Sequence, residues 1–243
     1  MEGANGNMKI GIIGYGEIGK AVERVYLEKD MKPCIRDFNF DDGLEDCDFL
    51  HICIPYTKGF VPVVERYIDE LNPNIIIVHS TVAPGTIERL SRYYKIAHSP
   101  VRGVHPDLYE GIMTFVKVVS GNAAHEVSQH FEQLGITTSI YDNPVTSEVA
   151  KLLSTTYYGV CIAFHDYARK VCEATGANFE QAMTEWNTDY NEGYRELDMP
   201  HVARPVLYPP QGSIGGHCVI PNAEIIKETE HSPLVQSILD LKN

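Results

Sequence analysis

The sequence lacks several features that would place it in a specialised class of protein. Its six cysteines include no CxxC pair, which argues against a zinc knuckle or a disulfide framework. No apolar run reaches the roughly 18 residues that a membrane span requires. The first residues contain no hydrophobic segment of the kind found in secretory signals. Together these absences predict a cytoplasmic protein with reduced thiols, without a membrane partner and without a metal site.

Positive charge is also scarce. The chain has 20 lysine and arginine residues against 33 aspartate and glutamate residues, which gives a net charge of −13. Such an acidic surface repels phosphate backbones, so a nucleic-acid partner is not expected. Any phosphate group that this protein binds must therefore be held by local backbone geometry.

The first part of the chain alternates between strand and helix patterns. Apolar runs predict strands at 8–13, 32–37, 48–54, 74–80, 95–99, 115–121 and 136–141, and helical spacing predicts helices at 17–30, 60–71 and 123–134. Strands that alternate with helices imply parallel crossovers, hence an α/β fold with a Rossmann-type doubly wound parallel sheet. We expect this domain to span 8–145, after a flexible tail at 1–7.

The pattern changes to uninterrupted helical periodicity after Asn143. One helix is predicted over 147–174, which at 1.5 Å per residue is roughly 40 Å long. A second helix is predicted at 178–191, an irregular loop at 198–221, and one or two short helices at 222–241. We expect 146–243 to be a small helical domain for substrate binding and dimerisation. A long helix with apolar faces on two sides cannot bury both faces against one Rossmann domain. We therefore expect a homodimer, in which a second copy buries the other face.

A glycine-rich motif lies between the first predicted strand and the first predicted helix. It consists of Gly14, Tyr15, Gly16, Glu17, Ile18 and Gly19. In this context the three glycines allow a tight turn, the approach of the backbone to a pyrophosphate, and close packing of helix on strand. The helix N-terminus supplies N–H donors and a partial positive charge. The motif therefore predicts a dinucleotide site to which all six residues contribute.

An acidic residue at the end of the second predicted strand favours NAD over NADP. Asp37 lies 18 residues after Gly19, where a carboxylate accepts hydrogen bonds from the adenine ribose and repels a 2′-phosphate. The neighbouring Arg36 weakens this inference, because an arginine can accommodate that phosphate. A glycine turn that binds no cofactor, or a different one, stays open as an alternative.

Two further segments carry side chains that suit catalysis. Ser80 and Thr81 follow a predicted strand, at the edge where open sheets bind ligands, and their hydroxyls could face a ligand or cap a helix. Lys151 lies near the start of the long helix. A lysine in a cleft acts as an acid or base or stabilises an alkoxide, whereas the alternative is a solvated surface lysine.

A loop near the end of the chain presents a third candidate group, Cys218. It follows Gly215, Gly216 and His217, whose backbone N–H groups and imidazole would favour the thiolate form. A thiolate in such a loop is a nucleophile. The alternative is an inert buried thiol beside a histidine that packs elsewhere.

In this order, the motifs resemble the UDP-glucose/GDP-mannose dehydrogenase family, and within it the subgroup acting on UDP-N-acetylmannosamine. The resemblance runs from Met8 to about Pro221. It includes the glycine turn with Asp37, the STVAPGT segment from Ser80, Ser99-Pro100, the KVVSG strand, Glu148 with Lys151, and the GGHC loop.

The resemblance implies an NAD-dependent enzyme that oxidises the alcohol of a sugar or nucleotide sugar. It implies that Cys218 attacks the aldehyde intermediate, that Lys151 stabilises the oxyanions, and that Thr81 positions a water or the hydroxyl. It implies cofactor contacts from Pro55, Ser80 and Thr81. Substrate contacts are implied for Arg102, Thr155, Gly215, Gly216, His217 and Asn222.

The sequence departs from the family pattern at several points. Val101 stands in place of a glutamate, Thr155 in place of an asparagine, and Asn222 in place of an aspartate. Family members also continue well past the cysteine, so we expect this chain to lack their C-terminal nucleotide-sugar-binding domain. Two other functions stay open: a two-electron dehydrogenase of the β-hydroxyacid type that uses Lys151, and a non-catalytic NAD(H)-binding module.

Overall fold

The computed structural model describes residues 8–214 and 218–242. The predicted tail at 1–7 and the loop residues Gly215, Gly216 and His217 lie outside the described residues. The chain divides into two compact units, Met1–Lys151 and Leu152–Asn243. A search of the described helices for one that is both long and apolar enough to cross a membrane finds none.

The first unit is built on an eight-stranded sheet. Its strands are β1 Ile10–Ile13, β2 Cys34–Asp37, β3 Phe40–Asp41, β4 Phe49–Ile52, β5 Ile75–Val78, β6 Ile96–His98, β7 Lys117–Ser120 and β8 Thr138–Tyr141. Their order across the sheet is β3-β2-β1-β4-β5-β6-β7-β8. The chain therefore changes its direction of winding beside β1, which is where open sheets of this kind place a ligand crevice. The predicted doubly wound α/β fold is confirmed.

Two strand pairings depart from the predicted parallel arrangement. β3 forms an antiparallel hairpin with β2, in which Arg36 pairs with Asp41. β7 runs antiparallel to β6, with His98 opposite Ser120, and β8 is parallel to β7. The connection from β6 to β7 contains the helix α4 Leu108–Thr114, and the chain then returns beside β6 instead of crossing over.

Helices cover both faces of the sheet and explain the apolar strand sequences. They are α1 Glu17–Leu27, α2 Phe60–Leu71, α3 Thr86–Leu90, α4, and α5 Ala124–Gln133. On β1, Ile12 packs into a cluster with residues of α1, α4 and α5, whereas Ile13 packs with residues of α2 and α3. Because alternate side chains are buried on opposite faces, the strands read as continuous apolar runs.

The long helix α6 Pro144–Thr175 begins earlier than the pattern predicted. Its first eight residues belong to the first unit and the remainder to the second. The amide of Val145 donates to Asn143 Oδ1 at 2.8 Å, so Asn143 caps the helix and Pro144 occupies its first position.

The second unit is helical throughout its regular structure. After α6 come a π-helical segment Glu180–Glu185, α7 Trp186–Glu196, a short 3-10 turn Pro200–Val202, α8 Val219–Thr229 and α9 Pro233–Leu239. α8 therefore begins within the segment that was predicted as loop. A Cβ on Gly159 of α6 would lie only 2.8 Å from Val219 and 3.0 Å from Ile238. The glycine therefore allows α8 and α9 to pack closely on α6.

Candidate functional site

The glycine turn after β1 has the geometry of a dinucleotide cradle. Gly14 has a φ of +91°, which favours glycine, and a Cβ on Gly19 would lie 2.0 Å from the Gly14 carbonyl oxygen. These two glycines are required by the turn itself. Apart from Gly16 itself and its two chain neighbours, no atom of the described residues lies within 4 Å of the position that a Cβ of Gly16 would take. This open space above the backbone fits a pyrophosphate.

Asp37 lies against this turn at the end of β2. Its Oδ2 accepts a hydrogen bond from the Tyr15 amide at 2.5 Å, and its Oδ1 accepts one from the Phe38 amide at 2.6 Å. The Gly14 amide donates to the carbonyl oxygen of Arg36 at 2.9 Å. The carboxylate is thus fixed beside the cradle, where it can accept hydrogen bonds from ribose hydroxyls.

Arg36 is already bound by two carboxylates. Its guanidinium donates to Glu70 Oε1 at 2.8 Å and contacts Asp41 on β3. The hydrogen bond with Arg36 lowers the pKa of Asp41, and the same bond raises the pKa of the guanidinium. The arginine that weakened the preference for NAD is therefore engaged by carboxylates of β3 and α2, whereas the Asp37 carboxylate lies beside the cradle.

The ends of β4 and β5 are tied together at the same edge of the sheet. Ser80 is 4% exposed, and its hydroxyl donates to the Ile54 carbonyl oxygen at 2.6 Å. Pro55 next to it is exposed, and Thr81 is half-buried. The Ser80 hydroxyl therefore holds the two strand ends in place, and Pro55 and Thr81 follow on the side where the sheet binds ligands.

Glu148 of α6 holds the far end of the STVAPGT segment. Its Oε2 accepts from the Gly85 amide at 2.6 Å and its Oε1 from the Ile87 amide at 2.8 Å. These amides begin α3, whose N-cap is Gly85. Of the two alternatives for the hydroxyls of Ser80 and Thr81, the helix cap is therefore wrong for α3. A carboxylate supplied by a helix more than 60 residues away takes that role.

His98 connects the near end of the same segment to α6. Burial lowers the pKa of His98 to about 3, so the ring is neutral. Its Nε2 lies 3.2 Å from the Ser80 carbonyl oxygen, which only accepts, so Nε2 carries the proton. Its Nδ1 then accepts from the Ser147 hydroxyl at 2.7 Å, and Ser147 accepts from Ser120 at 2.6 Å.

Together, His98 and Glu148 join the first turns of α6 to both ends of the STVAPGT segment. We call this pair of connections the α6 clamp. Lys151, three residues beyond Glu148, is half-buried. Burial and, to a smaller extent, the charge of Lys151 lower the pKa of His98. The α6 clamp therefore fixes the start of the helix that carries Lys151 relative to Ser80.

Arg102 lies on the segment that follows β6. It is exposed, its guanidinium donates to the Val116 carbonyl oxygen, and it lies 5.6 Å from the ring centre of Phe115. Val101, at the position of the family glutamate, is 6% exposed and packs in the core of the first unit. That core position suits an apolar side chain.

The other predicted residues belong to the second unit. Cys218 is half-buried and directly precedes α8, and its carbonyl oxygen accepts from the Asn222 amide at 3.1 Å. The Asn222 side chain is 4% exposed, and its Nδ2 has no hydrogen-bond partner within the described residues. Thr155 lies on α6. The structure thus places Cys218 at the N-cap of α8 and Asn222 one turn further along that helix.

Comparisons with known proteins were made by sequence and by structure. No protein-family model matches the chain. A UDP-N-acetyl-D-mannosamine dehydrogenase from Methanocaldococcus jannaschii is 27% identical over 221 residues, which are 87% of this chain and 46% of that protein. The chain spans about half the length of the curated relatives it matches. This similarity confirms the predicted resemblance to the nucleotide-sugar dehydrogenases.

Solved structures share the fold. A UDP-D-ManNAc dehydrogenase from Pyrococcus horikoshii superimposes with a TM-score of 0.79 at 17% identity, covering 97% of this chain and 68% of that one. A 3-hydroxyisobutyrate dehydrogenase from Mycobacterium tuberculosis gives a TM-score of 0.68 at 14% identity, covering 96% and 91%. The architecture is therefore that of Rossmann-fold dehydrogenases.

Proposed function

We propose that this chain, a relative of the UDP-N-acetyl-D-mannosamine dehydrogenases by sequence, is an NAD-dependent oxidoreductase acting on the alcohol of a sugar or nucleotide sugar. The observation that carries this proposal is the glycine turn, with open space above Gly16 and the Asp37 carboxylate beside it. The engagement of Arg36 by Asp41 and Glu70 supports NAD as the cofactor rather than NADP.

The proposed chemistry assigns a role to each candidate side chain. Bound NAD⁺ supplies the acceptor for a hydride. Lys151 takes or stabilises the charge that develops on the substrate oxygen, and Thr81 orients the hydroxyl or a water. Cys218 is the proposed nucleophile for oxidation of the aldehyde. Arg102, Thr155 and Asn222 are proposed to contact the substrate, and Asn222 does so as a neutral donor, since it cannot act as a base.

A second feature of the proposal is a homodimer formed through α6. In its second-unit part this helix carries exposed apolar side chains, which are Leu153, Tyr157, Tyr158, Phe164, Tyr167 and Val171. Such a surface is larger than single exposed apolar residues would explain. A second copy of the same helix would supply matching apolar side chains.

Binding of NADH tests the cofactor site directly. We expect wild type to bind NADH and Gly16→Ala to lose at least about tenfold in affinity, because the new methyl group occupies the space of the pyrophosphate. The melting temperature should not change, since among residues 8–214 and 218–242 only the two chain neighbours of Gly16 can come within 4 Å of that methyl position. Gly193→Ala in α7, where the space is equally open, is the control and should bind NADH normally.

Turnover tests the chemistry. We expect NADH to form with at least one nucleotide sugar or sugar alcohol, and Lys151→Ala to slow this by about 10²–10⁴-fold through loss of acid–base assistance. Cys218→Ser should block oxidation at the aldehyde. Absence of turnover by wild type, or full activity of Cys218→Ser, would contradict the proposed reaction.

A second candidate function is the two-electron oxidation of a β-hydroxyacid. The α6 clamp favours it, because His98 and Glu148 fix the helix start that bears Lys151 by contacts entirely within the first unit. Activity on a hydroxyacid that survives Cys218→Ala but not Lys151→Ala would select this function. Tight NADH binding without turnover of any candidate would instead select a non-catalytic module.

A further inference from the structure

A histidine from outside the glycine motif contacts the first residue of α1. Glu17 follows Gly16, and its carboxylate is in hydrogen-bond contact with the Nδ1 of His105. The two side chains are 42% and 39% exposed. His105 belongs to the segment between β6 and α4, which the sequence patterns did not connect with the cofactor turn.

The position of Glu17 creates an electrostatic conflict. A carboxylate in the first turn of a helix is favourable in the free protein, because it faces the positive end of the helix dipole. The same helix end is where a bound diphosphate receives its N–H donors. When the diphosphate is present, a negative side chain one residue from Gly16 repels it. At a separation of a few ångströms this costs about tenfold in affinity or more.

The charged side chains near Glu17 on α1 have other partners. Glu23 accepts a hydrogen bond from the Tyr15 hydroxyl, and Lys20 lies 5.5 Å from the centre of the Tyr15 ring. Arg24 lies 3.9 Å from Asp107 and forms an i,i+4 pair with Glu28. Neither basic residue is in an ion-pair contact with Glu17 within the described part of the chain.

We propose that His105 is a positioning residue of the dinucleotide site: its Nδ1 holds the Glu17 carboxylate by a hydrogen bond and so keeps that negative charge away from the cofactor diphosphate. The inference rests on the proposed function of the glycine turn and adds to it a residue from another segment. It also assigns a role to the segment that separates β6 from α4, which holds the imidazole against α1.

Titration of NADH into four forms of the full chain tests this proposal. These forms are wild type, His105→Ala, Glu17→Gln and the double variant. We expect His105→Ala to weaken NADH binding about tenfold, and the double variant to bind as tightly as Glu17→Gln alone. The loss should shrink at 1 M salt, where the Debye length is about 3 Å.

A control separates the effect on the Glu17 carboxylate from loosening of the segment. Asp107→Asn removes the charge that faces Arg24 of α1 from the same segment and should leave NADH affinity unchanged. The role of His105 would be overturned if His105→Ala weakened NADH binding equally in wild type and in the Glu17→Gln variant. It would also be overturned if Asp107→Asn weakened NADH binding to a similar extent. No effect of His105→Ala on a wild type that binds NADH would also overturn it, whereas a wild type that binds no NADH would overturn the cofactor site itself.

Discussion

Lowering the pH from 7 to 5 is expected to reduce the free energy of unfolding by roughly 6 kcal/mol. The cause is a set of four histidines in the first unit, His51, His79, His98 and His130, each at most 4% exposed. Burial lowers the pKa of His98 to about 3 and of His130 to about 4. Burial also holds the pKa values of His51 and His79 well below the ordinary value.

Three of these histidines form one hydrogen-bonded chain whose direction is fixed at one end. His79 Nδ1 must donate to the Ser99 carbonyl oxygen at 3.0 Å, so its Nε2 accepts from His51 Nδ1 at 2.8 Å. His51 Nε2 then accepts from the Tyr26 hydroxyl, which accepts in turn from His130 Nε2, both at 2.7 Å. Every ring in this chain is neutral, and protonation of His51 or His79 breaks a donor–acceptor pair. In His130 the added proton would go on Nδ1, which is buried without a hydrogen-bond partner within the described residues.

The direction of the pH dependence follows from these depressed pKa values. A histidine whose folded pKa is below its unfolded value of about 6.5 stabilises the fold above pH 6.5, and this stability is lost as the pH falls. Each contributes a loss of ~2 kcal/mol between pH 7 and pH 5. Glu148 has the opposite effect, because burial raises its pKa to about 7. Its protonation between pH 7 and pH 5 increases the free energy of unfolding by ~2 kcal/mol and offsets part of the loss.

Urea denaturation at pH 7, 6 and 5 measures this effect, and two variants on α5 assign it. His130→Leu should make the loss between pH 7 and pH 5 smaller by ~2 kcal/mol, since one buried site of protonation is removed. His125→Leu, at an exposed position of the same helix, should leave the loss unchanged. Equal losses in wild type and His130→Leu would show that buried histidines do not control acid unfolding.

Local patterns were sufficient to predict the sheet and its cofactor turn. The glycine motif and Asp37 lie at fixed distances from two strands, so their place follows once the strands are recognised. The same periodicity could not give the direction of β7, since parallel and antiparallel strands bury side chains with the same period of two. The start of α6 carried a local signal, an asparagine followed by proline, which the apolar periodicity did not include.

The partners of buried polar groups could not be predicted, because they come from distant parts of the chain. A histidine within each of three apolar strands was visible in the sequence. The residues that satisfy them, Tyr26 and Ser147, lie on helices at opposite ends of the first unit's sequence. Glu148 was noted only as a neighbour of Lys151, although its carboxylate binds amides more than 60 residues earlier.

Replacing Glu148 by alanine is expected to lower the free energy of unfolding by about 4 kcal/mol at pH 8. The half-buried amide of Gly85 and the buried amide of Ile87 would lose their acceptor, and each unsatisfied amide costs about 1–3 kcal/mol. Glu148→Gln should show a smaller loss, because one oxygen still accepts while the new NH₂ group faces an amide that also donates. Thr146→Ala is the control, because Thr146 is an exposed residue in the first turn of α6. Its free energy of unfolding should stay within about 0.5 kcal/mol of wild type.

The same substitution tests whether the α6 clamp positions Lys151. If Glu148 fixes the helix start relative to the STVAPGT segment, turnover by the folded Glu148→Ala protein should fall by about 10²-fold, because displacement by roughly 1 Å has that effect. NADH affinity should change little, since the glycine turn and Asp37 make no contact with Glu148 in the hydrogen bonds described above. Full turnover in folded Glu148→Ala would restrict Glu148 to a structural role, and an equal loss of NADH binding would show that the whole first unit had rearranged.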